Sequence, residues 1–136
     1  MMKAILSIFL VLAMVGFAPA ADSAHKHAPS PSMAKQHHAM SSASKHWQAA
    51  KKSLQEGDLE KTEKSLEGMQ KALADLEGFQ LHKNKERGGE FKDQARNFKE
   101  NLVKMADAVK ERKSDEVQNL IPVIDNGCLQ CHKIFR

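Results

Sequence analysis

Cys128 and Cys131 are the only cysteines of the chain, three residues apart, and His132 follows the second at once. Residues of these types at this spacing support several chemistries. Two thiols can add across the two vinyl groups of a haem while the adjacent imidazole takes the iron. A thiol pair can also cycle between dithiol and disulfide, hold zinc, or form a plain structural cross-link. On a helix, positions 128, 131 and 132 share one face. That spacing lets two thioethers hold a flat ring with the imidazole directed at its centre.

The other three chemistries leave something unexplained. A redox pair wants a βαβ setting and a helix N-terminus, whose dipole lowers the thiol pKa. Here the motif falls at the end of the last helical stretch, where the dipole has the opposite sign. Zinc usually wants a second Cys or His pair at finger spacing; His25, His27 and His38, near the start of the chain, have no fixed geometry. A disulfide between neighbours closes too small a loop to stabilise much, and gives His132 no role. One covalent haem c accounts for all three residues, with Cys128 and Cys131 as attachment points and His132 as proximal iron ligand.

The elements that must position this trio are helical. Apolar residues recur three and four apart from about residue 40 onward, and no alternating strand pattern is present. A first helix carries Met40, Ala43, Trp47, Ala50 and Leu54 on one stripe, stops at Gly57, and is followed by Asp58 as N-cap of the second. The second carries Leu59, Leu66, Met69, Leu73, Leu76 and Phe79, and a polar segment from about His82 to Gly89 ends it. The third carries Phe91, Ala95, Phe98, Leu102, Met105 and Val109. The fourth starts at Ser114 and Asp115, turns Val117, Leu120, Ile121, Ile124, Cys128, Cys131 and Phe135 inward, and is expected to kink at Pro122. Four helices of roughly 20 residues with short first and last connections make an all-α, antiparallel up-down-up-down four-helix bundle the natural architecture.

The start of the chain bears on the compartment. Met1 to Lys3 gives a short positive segment, Ala4 to Phe17 an apolar run, and Ala18-Pro19-Ala20 a small-x-small cleavage site. This is the layout of a secretory signal peptide over residues 1–20, so the expectation is export to the periplasm with no membrane insertion after its removal. Residues 21–38, rich in Ser, Ala, Pro and His, read as a flexible leader, with Pro29 and Pro31 discouraging a helix before about Met33. The bundle domain is then 39–136. Net charge falls from +4 to +3 when Lys3 is removed, and lysines and glutamates are interspersed. Mild charge, one Trp and no Tyr exclude a nucleic-acid surface.

A four-helix bundle ending in Cys128-x-x-Cys131-His132-x-x-Phe135-Arg136 closely resembles the cytochrome c′ family, including its low-spin relatives. The likeness is specific over residues 128–136, and from about 34 onward it rests on helix pattern. It implies that His132 is the axial ligand and that Arg136 lies near the proximal face. Members are usually somewhat longer, with a long connection between the second and third helices; here that connection is short. Dimerisation through the first two helices is common in the family, so a homodimer is an open expectation.

The far side of the iron follows from bundle geometry. His132 lies 17 residues beyond Asp115, and counting 17 back from Glu56 reaches Ala39. Met40 is therefore level with the motif, in phase with the core stripe, and is the first candidate for sixth ligand; His37, one turn earlier, is the second. Phe79, Phe91 and Phe98, with Leu81, are at the level to wall a pocket. Met69 and Met105 are much deeper and read as core. His46 falls off the stripe and His82 reads as an ordinary surface residue. A ligating Met40 implies a carrier of single electrons between periplasmic redox proteins, since His/Met ligation suits electron-transfer haems. A Met40 that merely covers the iron implies a five-coordinate binder of NO or CO. Catalysis is not expected, because no distal acid or base has a positioned partner.

Overall fold

A computed structural model describes residues 30–136, so the signal-peptide reading and residues 21–29 of the expected leader lie outside it. Among the described residues every regular element is helical: α1 (Pro31–Gln55), α2 (Leu59–Ala72), α3 (Gly88–Lys110) and α4 (Ser114–Phe135), with 3₁₀ turns at Leu76–Gly78 and Lys85–Arg87.

The first helix starts earlier than the prolines suggested. Residues 31–38 belong to α1 and not to a leader, because Ser30 accepts a bond from the Met33 amide and Pro31 occupies the first helical position. A proline there loses nothing, since its missing N–H would have been unpaired anyway. The second helix is shorter than its apolar pattern: α2 ends at Ala72, and Phe79 is extended after the 3₁₀ turn. Gly88 and Gly89, expected in the interruption, form the first turn of α3. The α4 helix continues on both sides of Pro122, which lies in its interior.

The turns on either side use one device. Asp58 N–H donates to the Ser53 carbonyl at 2.9 Å past Gly57, whose φ is 73°, and Lys113 N–H donates to the Ala108 carbonyl at 2.9 Å past Arg112, whose φ is 57°. Both are helix ends closed by a left-handed residue. Gly57 adopts that conformation freely, whereas Arg112 does so against its own Cβ.

α1 lies against α2, α2 against α3, and α3 against α4. Small residues let α1 approach: Ala43 and Ala50 are buried beside Trp47, and Ser53 Oγ meets Thr62 Oγ1 of α2 at 2.8 Å in a site with no exposure at Thr62. The centre is built from Leu66, Met69, Leu102, Met105, Val109 and Ile124, each fully buried. Burial of a side chain of this size stabilises by about 1.5–3 kcal/mol. Met69 and Met105 are core, as their depth implied. No helix among the described residues is long and apolar enough to cross a membrane.

Candidate functional site

The seam between α1 and α4 is unlike the other three. Their backbones approach less closely than those of sequential neighbours, and long side chains span the gap. The Trp47 indole N–H donates to Asp125 Oδ1 at 2.6 Å, and Lys51 Nζ reaches the same oxygen at 3.0 Å. The Trp47 bond first, and Lys51 after it, hold the Asp125 carboxyl below the usual carboxylate range, against the opposing effect of burial. Sequence reading missed this contact: its partners are 78 residues apart, and nothing local marks them.

Cys128 lies one turn beyond Asp125. Both cysteines are free and half-buried. Burial pushes both thiols up, and at Cys128 the nearby negative charge of Asp125 adds to the effect. A reactive redox thiol or a zinc thiolate needs the opposite shift. His132 is exposed, yet partial desolvation, followed by the charge of Arg136, lowers its pKa from the ordinary 6.5. Arg136 thus sits close enough for its charge to reach the imidazole, and the neutral ring that would serve as ligand is favoured.

The apolar residues at this end are incompletely covered. Met40, Phe79, Leu81, Phe98, Cys131 and Ile134 pack against the core while remaining half-buried. Phe98 lies against Gly127, where an added Cβ would come within 2.7 Å of its ring, so the glycine lets α4 close over it. Phe91 is fully buried, edge-on to Phe135 with ring centres 5.2 Å apart. Of the three residues expected to wall a pocket, Phe91 is buried against Phe135, and Phe79 and Phe98 are half-buried.

The connection between α2 and α3 closes over the end of α4. The His82 and Lys83 amides both donate to the Phe135 carbonyl at 3.2 Å, and Asn84 Nδ2 donates to the Ile134 carbonyl at 2.6 Å. These bonds give partners to carbonyls that a helix end leaves open. They also hold His82 opposite His37, with the two Nε2 atoms 3.5 Å apart and the rings stacked at 26°. His82 is exposed, as expected, and its ring is paired with that of His37. His46, expected to face solvent, is half-buried with its ring over Gly68 of α2, which leaves no room for a side chain there.

Among the described residues no group of three or more His, Cys, Asp or Glu side chains is poised around a metal ion. A haem iron would need only two protein ligands, one on each face, and the thioethers would carry the rest of the attachment. Residues that would hold that group are present: two half-buried thiols on one helical face, the imidazole that follows them, and half-buried apolar side chains. Comparison with known protein families, curated proteins and solved structures finds no match for this chain.

Proposed function

We propose that the chain is an exported mono-haem c-type cytochrome that carries single electrons between periplasmic redox partners. In this reading it is an antiparallel up-down-up-down bundle of cytochrome c′ type. Cys128 and Cys131 hold the haem covalently, His132 is the proximal ligand and Met40 the sixth. The observation that carries the reading is the Trp47–Asp125 bond taken with the Cys-x-x-Cys-His spacing. Met40 is seven residues before Trp47, and His132 is seven residues after Asp125. Seven residues are close to two helical turns. In an antiparallel pair, each of the two residues therefore returns to the face on which Trp47 and Asp125 meet, at a common level.

A haem bound here supplies a one-electron couple. The chain's own residues keep the His132 imidazole neutral, bring the Met40 thioether from the opposite helix, and keep water away with Phe79, Leu81 and Phe98. The Arg136 cation lies on the His132 side, where it opposes a gain of positive charge. The role is that of a carrier and not of a catalyst.

The test is an absorption spectrum of the protein matured in a haem-attaching periplasm, oxidised, reduced, and reduced under CO. Sharp reduced bands that CO does not move are expected from a six-coordinate low-spin iron. A broad high-spin spectrum that shifts with CO would replace the carrier by a gas binder. Absence of haem bands would overturn the attachment itself. Met40→Ala is expected to turn the low-spin spectrum high-spin; an unchanged spectrum would pass the sixth position to His37.

A further inference from the structure

The histidine pair lies where the start of α1 meets the α2–α3 connection, and a site there would need no haem. We infer that His37 and His82 form a surface site for a divalent transition-metal ion of the zinc and copper class, which clips the start of α1 to the α2–α3 connection. The two Nε2 atoms are 3.5 Å apart. Two nitrogens bound to one tetrahedral ion at 2.0–2.1 Å stand about 3.3 Å from each other, so the pair is within a few tenths of an ångström of a chelating separation. The same nitrogen of each ring faces the other, at the length of a hydrogen bond between the rings that an ion would replace.

Both histidines are held from behind. His37 stands in the second turn of α1, after the Ser30 cap. The His82 amide is bonded to the end of α4, and Asn84, two residues on, adopts a left-handed φ of 51° with its side chain on the Ile134 carbonyl. The partners are 45 residues apart in sequence, so the fold has already closed the long loop that a metal clip would otherwise have to close. Both side chains are exposed, and an ion can enter without opening the core.

The ligand set selects the ion. Imidazole suits zinc, copper and nickel, whereas magnesium and calcium want oxygen. Since no third His, Cys, Asp or Glu joins the pair among the described residues, water fills the remaining positions and the ion exchanges. An imidazole ligates only when neutral, so affinity falls in acid.

The experiment is calorimetric titration of the full chain with Zn(II) alone at neutral pH, repeated for His37→Ala, His82→Ala, the double variant and His38→Ala. One ion per chain is expected. Each single variant should weaken binding by roughly tenfold or more, the double variant should weaken it little further, and His38→Ala should leave it unchanged. Copper(II) in place of zinc should give an electron paramagnetic resonance spectrum with two imidazole nitrogens, reduced in either single variant. Far-ultraviolet circular dichroism checks that the variants stay folded, which is expected for exposed positions. Absence of zinc binding, or affinity that survives either single substitution, would overturn the site and assign any remaining binding to the other histidines.

Discussion

At the scale of single residues, the two cysteines proposed to hold haem lie one turn from a carboxylate that ties α4 to α1. Cys128 and Cys131 are half-buried thiols whose pKa burial raises, which makes them poor redox or zinc thiolates. Replacing either with alanine is expected to cut holoprotein yield sharply, read as haem per chain after maturation; normal haem content in both variants would end the attachment proposal. Asp125 is the fixed point beside them. Its folded pKa lies below its ordinary 3.8, so the unfolded chain takes up the proton first. The stability it contributes is complete above about 3.8 and is lost as pH falls through the folded value. Asp125→Ala is expected to cost about 1–2 kcal/mol at neutral pH, a charged hydrogen bond discounted for its exposed side. In urea unfolding that cost should shrink in strong acid, and an equal cost at both pH values would remove the charge from the explanation.

At the scale of elements, the comparison between Gly57 and Arg112 makes a sharp case. Both close a helix in the left-handed conformation, but only one is a glycine. Arg112→Gly is expected to stabilise the chain by about 0.5–1 kcal/mol, by removing the Cβ conflict at the α3–α4 turn, seen as a higher urea midpoint. A lower midpoint would mean that the arginine side chain contributes more than its backbone costs. The same elements show what could be read from the sequence. Four helices were legible because apolar residues recur with helical spacing, and the Gly57–Asp58 stop and start was legible because both signals are local. The start of α1 was not: Pro31 reads as a breaker until Ser30 is known to cap the helix. Phe79 has the right spacing for α2, yet the chain leaves the helix after Ala72. Cys128, Cys131 and His132 stood out by type and spacing alone. Trp47 with Asp125, His37 with His82, and His46 over Gly68 depend on how the helices are rotated against one another, and no local pattern encodes that.

At the scale of the whole molecule, basic and acidic side chains alternate over the surface, and the chain carries a modest formal charge of +4. Most ion pairs among the described residues join groups three or four residues apart, within a helix or across its cap, such as Lys64 with Glu60 and Lys71 with Glu67. Pairs of this kind are worth a few tenths of a kcal/mol and set solubility more than stability. In the proposed carrier, the excess of lysine would steer the molecule weakly toward acidic partners. For the proposed carrier, the second-order rate of electron exchange with an acidic redox protein is expected to fall as salt is added over the range where screening shortens below about 10 Å. A rate indifferent to salt would place the contact on an uncharged face.

The bond between Trp47 and Asp125 has a practical consequence. Trp47 is the only tryptophan in the chain, and its hydrogen-bond partner is one turn from the first cysteine. A haem held by those cysteines would absorb in the range where an indole emits, and excitation of Trp47 would pass to it without fluorescence. The folded, loaded protein should be dark, the folded protein without haem should emit from a buried indole, and the unfolded chain should emit at longer wavelength. If the proposed haem is bound there, one fluorescence spectrum would report its attachment without any label.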